Sequence, residues 1–319
     1  MQIERRLREA VAVGLVLISP LCLGAGGRAP KISIQEVLSI GSLDDESIFQ
    51  WTGVAADDEG YIYLLDGLDY SLKKFDAKGR LVKKVGRKGQ GPGEFMTPRL
   101  LDGSLDRLYA TDQGIPGIAV FDRELRFVKR IPFLMPVSDL FVLTDDRIAV
   151  AVMGFQGPGR IVVLNAEGKA QSELAFQDKD EGLMMDSVSV ALDSRGDFYL
   201  AYVFQDRIER WSAAGRRLWS KSLQGVKNVK KEKLGAFLLP TETQFKDIAL
   251  DRSGSIFVLG GKAAKNPSRD VYVLSPSGDR TMTLTLPDTT HCIYIDRRNF
   301  LYARANDGIT LKKYRLVYE

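Results

Sequence analysis

Apolar and polar residues alternate with a period of two along most of this chain, in short runs separated by recurring turns. Gly53-Val54-Ala55-Ala56 and Tyr61-Ile62-Tyr63-Leu64-Leu65 flank the polar stretch Asp57-Asp58-Glu59-Gly60. The arrangement returns around Asp193-Ser194-Arg195-Gly196 and Asp251-Arg252-Ser253-Gly254, and again at Asp296-Arg297-Arg298-Asn299. Period-two runs rich in β-branched and aromatic residues are strands, and polar openers followed by Gly are tight turns. A second kind of turn recurs five times: Phe75-Asp76-Ala77-Lys78-Gly79-Arg80, Phe121-Asp122-Arg123-Glu124-Leu125-Arg126, Leu164-Asn165-Ala166-Glu167-Gly168-Lys169, Trp211-Ser212-Ala213-Ala214-Gly215-Arg216 and Leu274-Ser275-Pro276-Ser277-Gly278-Asp279.

Spacing of about 45 residues between copies marks a repeat architecture, each unit reading strand a, turn, strand b, loop, strand c, turn, strand d. The expected fold is all-β, a six-bladed β-propeller with blades near 50–86, 95–133, 137–176, 186–223, 244–287 and 288–319. Blades 2 and 3 depart from the pattern; Asp102-Gly103-Ser104-Leu105-Asp106 and Thr144-Asp145-Asp146-Arg147 are read as their a–b turns. The last blade runs out before a fourth strand, and the alternating segment 32–40 is expected to supply it, closing the ring without a long free edge.

The segment from Gln50 to Asp66 resembles the core of an NHL repeat, and Lys84-Val85-Gly86-Arg87-Lys88-Gly89-Gln90-Gly91-Pro92-Gly93-Glu94-Phe95 resembles the blade junction of NHL-type six-bladed propellers. The resemblance extends as pattern over nearly all of residues 26–319 and is detailed only in blade 1. It implies the fold; members of that group bind proteins, nucleic acids or sugars, and a few are enzymes, so function must be argued from a site.

The first residues break the alternation. Arg5, Arg6 and Arg8 precede an apolar run, residues 10–23, and then Gly24-Ala25-Gly26-Gly27. That is the layout of a secretory signal over residues 1–25, with an apolar run of 14 residues where a membrane span needs about 20. The expectation is a periplasmic or extracellular protein with no stable membrane span after cleavage. Losing three Arg and two Glu takes the net charge from +4 to +3. Cys292 is then the one cysteine left, so no internal disulfide can form, and its apolar strand context reads as a structural thiol.

Several chemistries fail on residue counts. The Gly-rich stretch from Gly86 to Gly93 runs from strand to strand with Phe95 beyond it, whereas a phosphate cradle must open onto a helix. A single histidine, His291, rules out a multi-histidine metal site. Calcium needs only oxygens and stays open as a cofactor, though none is expected. Counting back from the a–b turns aligns the positions at the channel mouth as Thr52 and Gly53, Pro98 and Arg99, Asp139 and Leu140, Val188 and Ser189, Lys246 and Asp247, His291 and Cys292. Asp139 and Asp247 with Arg99 and Lys246 suggest an ionic network across the pore.

Strand counting puts the regular turns on one face and the b–c loops and blade connections on the other, where binding usually resides. On that loop face the link 224–243 carries Lys227, Lys230, Lys231 and Lys233, and the loop 260–270 carries Lys262, Lys265 and Arg269; the link 177–186 is acidic. The pattern points to a non-catalytic binding or scaffold module for a protein or anionic glycan or surface, with a channel enzyme using calcium or carboxylates as the alternative. Nucleic acid is not expected, because no aromatic platform accompanies the lysines.

Overall fold

The computed structural model describes residues 31–319, except 43, 46, 144, 145, 153–158, 177–183, 236, 262–267, 306 and 307. Strand β1 is Ile32–Ile40. Blade 1 follows as β2 (Trp51–Ala56), β3 (Ile62–Asp66), β4 (Ser71–Phe75) and β5 (Leu81–Val85). Blade 2 is β6 (Pro98–Gly103), β7 (Arg107–Asp112), β8 (Ile118–Asp122) and β9 (Phe127–Ile131). Blade 3 is β10 (Val137–Val142), β11 (Ile148–Val152), β12 (Gly159–Leu164) and β13 (Ala170–Phe176). Blade 4 is β14 (Val188–Leu192), β15 (Phe198–Tyr202), β16 (Ile208–Trp211) and β17 (Arg217–Lys221).

A two-stranded hairpin, β18 (Lys231–Leu234) and β19 (Phe237–Pro240), fills the link to blade 5. Blade 5 is β20 (Phe245–Leu250), β21 (Ile256–Gly260), β22 (Ser268–Leu274) and β23 (Arg280–Thr290). The last sheet joins β24 (Ile293–Ile295), β25 (Phe300–Ala305) and β26 (Thr310–Tyr318) to β1, in the order β1-β26-β25-β24. The fold is therefore an all-β ring of six four-stranded antiparallel blades closed by the N-terminal strand.

Each blade buries both faces against its neighbours, so its middle strands carry unbroken apolar runs, such as the fully buried β3, β8, β11, β15 and β21. The outermost strand meets water and turns polar, as in Leu81-Val82-Lys83-Lys84-Val85. Among the described residues six apolar clusters result, one between each pair of adjacent blades. Phe95, wholly buried, stacks on Phe121 with centroids 5.9 Å apart between blades 1 and 2. The Gly-rich junction before it is a backbone bridge, with Phe95 N donating to Arg87 O and Gly89 N to Phe95 O.

The innermost strands approach one another almost to backbone contact. A Cβ on Gly53 would lie 2.6 Å from Leu101 N of the next blade, so only glycine fits there. Blades 6 and 1 are tied by the Trp51 indole, which donates to Thr310 O at 3.2 Å.

Candidate functional site

Strand register sorts the inner strands into layers. Gly53, Asp139, Ser189 and Asp247 oppose Leu65, Ala151, Ala201 and Leu259, equivalent positions in blades 1, 3, 4 and 5. Leu100 and Cys292, which precede Leu101 and Ile293 of the next register pairs, complete this inner layer. One step toward the loop face lie Thr52, Arg99, Ser138, Val188, Lys246 and His291. The count from the turns is therefore one residue off in blades 2 and 3: Asp139 belongs to the inner layer and Arg99 to the outer. The cause is local. The a–b turns of those blades open at Ser104 and Leu143 instead of at an Asp, leaving no marker to count from.

These layers wall a central cavity of about 1600 Å³ that takes in Thr52, Arg99, Asp139, Ser189, Lys246 and Asp247 but not His291. Inside it Ser189 Oγ donates to Asp247 Oδ1 at 2.7 Å and stands 3.5 Å from Asp139 Oδ2. Each carboxylate also accepts its own strand's next N–H and one from the following blade. Asp139 takes Leu140 N at 2.9 Å and Val190 N at 3.0 Å. Asp247 takes Ile248 N at 2.9 Å and Ile293 N at 2.8 Å.

Asp102 repeats the device with Gly103 N at 2.8 Å and Val142 N at 2.7 Å. The sequence pattern puts Asp102 in a turn; it is instead the fifth residue of β6 and faces the channel wall. The expected ionic network does not form: the carboxylates are joined through Ser189 and backbone N–H groups, with neither Lys246 nor Arg99 as partner.

Burial dominates the electrostatics. It pushes Asp139 up to about 8, with the Asp247 charge adding to the rise, and pushes Asp102 and Asp247 up to about 6. Burial likewise raises the Cys292 thiol to about 12, aided by the Asp247 charge, so Cys292 on the channel wall is an unreactive thiol rather than a thiolate. Lys246 is shifted down by burial. Among the described residues no three carboxylate, imidazole or thiol side chains gather as a metal-binding group. The cavity wall continues to the turn face, where Arg252 and Arg297 line it.

Residues 44–218 match the DUF5128 family, described as 6-bladed beta-propeller, which is more than half of the 319-residue chain. This chain belongs to that family. No curated protein sequence matches it. Among solved structures, this propeller is similar to a protein of unknown function from Bacteroides thetaiotaomicron, at TM-score 0.62 and 11% identity over 91% of this chain and 77% of that one. It is also similar to the PQQ-bound aldose sugar dehydrogenase of Streptomyces coelicolor, at TM-score 0.60 and 12% identity over 91% and 100%. A streptogramin B lyase aligns at TM-score 0.55 and 15% identity over 90% and 88%. At such identities the likeness is one of fold.

On the loop face of this propeller, the lysine-bearing link is tethered at its base. Asp206 accepts Ser222 Oγ and the N–H groups of Leu223, Gln224 and Val226. Beyond it Lys227 and, on the β18–β19 hairpin, Lys233 are exposed, with Leu234 67% and Leu238 40% exposed beside them. Lys230 pairs with Glu242 at 2.6 Å, and Lys231 is half-buried and engaged. Arg269 donates to Leu286 O at 2.8 Å within its own blade. Lys262 and Lys265, the acidic residues Asp178, Asp180 and Glu181, and residues 1–25, where a signal was expected, lie outside the described residues. Among the described residues no helix is long and apolar enough to cross a membrane.

Proposed function

We propose that this propeller is a binding module that takes a small polar ligand into the loop-face end of its central channel. The observation that carries this reading is Ser189 Oγ set between Asp139 and Asp247 on the wall of a cavity of about 1600 Å³. Convergent polar groups in a large concave space, with carboxylates displaced from their ordinary pKa, are the physical marks of a ligand site. The lysine hairpin is a second contact surface for an acidic protein or glycan. An NHL-like, exported chain is part of the same reading, supported by the Arg-then-apolar pattern of residues 5–23 and testable by N-terminal sequencing of the secreted protein.

The test is a thermal-shift screen of polar metabolites against the wild type and Ser189→Trp, whose indole would fill the channel. Ligands that stabilise the wild type and not the variant support channel binding. Stabilisation of both proteins by every hit overturns it. Charge reversal of Lys227, Lys230 and Lys233 should separately abolish capture of an acidic partner, leaving the channel ligands unaffected.

A catalytic reading attaches to the same pair, because Asp139 at about 8 beside Asp247 at about 6 gives a proton donor and an acceptor near neutral pH. Turnover of a bound ligand, lost in Asp139→Asn while binding persists, would make the module an enzyme. Elemental analysis and melting in EDTA test the calcium form of that reading.

A further inference from the structure

The two channel layers at the loop face carry opposite chemistry. In the outer layer Lys246 and Arg99 belong to blades 5 and 2, three places apart in a ring of six, so they face each other across the mouth. Neither is in an ion pair with a described carboxylate. The inner layer behind them holds Asp139, Ser189 and Asp247.

A second, independent observation lies on the same wall. Ser187 is 8% exposed and lines the channel, yet among the described residues its hydroxyl has no hydrogen-bond partner. It stands two residues before Ser189, immediately ahead of β14 on the loop-face side. Lys246 stands one residue from Asp247 in the same direction. Ser187, Lys246 and the Ser189–Asp247 pair, joined at 2.7 Å, thus line the same cavity from the adjacent blades 4 and 5.

Thr243, 7% exposed, is another buried hydroxyl without a partner among the described residues. Its Oγ1 and the Lys246 Cε both lie 3.0 Å from the point where a Cβ on Gly261 would sit, so a side chain there would crowd both, and the glycine lets the lysine stem lie beside this hydroxyl. A desolvated ammonium beside unanswered hydroxyl donors is stabilised by an anion that accepts from all of them.

We propose that the loop-face end of the channel is a carboxylate-binding site for a small hydroxylated acid. The ligand carboxylate lies between Lys246 and Ser187, and its hydroxyls point inward to Asp139, Ser189 and Asp247. Arg99, opposite, receives a second acidic group when the ligand is a dicarboxylate. The inference rests on the channel-binding reading and adds the ligand's charge and class. Asp139, holding its proton to about pH 8, donates to a ligand hydroxyl while Asp247 accepts from one.

Isothermal titration near neutral pH with two matched pairs tests it: tartrate against threitol, and gluconate against glucitol. Each pair shares a carbon skeleton and differs in carboxylate for hydroxymethyl. The expected result is binding of at least one acid about tenfold or more tighter than its polyol. Lys246→Met should erase the preference, Lys246→Arg should keep it, and Ser187→Ala should weaken the acid alone.

Equal binding of acid and polyol, both lost in Ser189→Trp, would overturn the carboxylate assignment and leave channel binding standing. An undiminished preference for the acid in Lys246→Met would overturn it in the same way. No heat from any of the four probes at millimolar concentration overturns the assignment too, while hits in the thermal-shift screen would still uphold the channel.

Discussion

Asp102, Asp139 and Asp247 each receive one backbone N–H from their own strand and one from the next blade, so each fastens two innermost strands while facing the channel. Burial raises all three, Asp139 furthest, to about 8. The unfolded carboxylate titrates near 3.9. Between those values the folded state holds a proton that the unfolded state has lost, so this group's contribution is complete below about pH 4 and fades as pH climbs toward 8. Asp139→Asn removes the titration and sacrifices one acceptor. Urea unfolding at pH 5 and pH 8.5 should show the wild type losing on the order of 1 to 3 kcal/mol across that interval and the variant distinctly less. Equal losses would mean that Asp139 is ionised in the fold. Asp139 and Asp247 were legible as channel residues because turn-counting comes within one position of the true register. Asp102 was hidden: Asp-Gly-Ser reads as turn chemistry, and only the pairing of Asp102 with Tyr109 places it in a strand.

At the scale of single elements, two classes of turn share a sequence signature and differ in depth. The a–b turn aspartates bind their turn's N–H groups and a tyrosine: Asp57 with Tyr63, Asp193 with Tyr199, and Asp296 with Tyr302. In blade 5 the tyrosine's place is taken by Phe257, and Tyr318 of β26 reaches across to Asp251 at 2.7 Å instead. The c–d turn residue Asp76 caps an exposed loop with Arg80. Asp296→Ala leaves Tyr302 and two N–H groups unanswered in a buried setting and should cost about 2 to 3 kcal/mol. Asp76→Ala should cost clearly less, since water replaces the carboxylate. Parallel chemical denaturation of the two variants checks the order, and equal losses would refute it. The blade strands were legible because burial on both faces writes a dense apolar pattern. The β18–β19 hairpin was not: Lys231-Glu232-Lys233-Leu234 buries little, so no alternation records it, and the segment reads as an irregular link.

For the whole molecule, β1 matters more than its place at the outer edge of a sheet suggests. It pairs along its length with β26, and its side chains enter two of the six inter-blade cores: Ile32 and Ile34 pack between blades 5 and 6, Leu38 and Ile40 between blades 6 and 1. The chain leaves it through Gly41 at φ +78°, where a Cβ would meet Ile309 O. Closure was legible from counting strands, since the last blade lacked one and 32–40 alternated; the double anchoring was not, because it depends on which neighbours each face meets. Removing residues 31–40 should therefore do more than shorten a sheet. Losing the buried Ile32 and Ile40 alone forfeits about 3 to 6 kcal/mol, and β26 is left as a long unpaired edge open to other chains. The truncated protein should melt at least about 10 °C lower and scatter light on heating. Replacing residues 227–240 by a short Gly-Ser linker removes a longer segment and should leave the melting temperature nearly unchanged, because the hairpin contributes little buried surface. Equal effects from the two deletions would mean that the ring is held by its blades individually, with no special role for the strand that closes it.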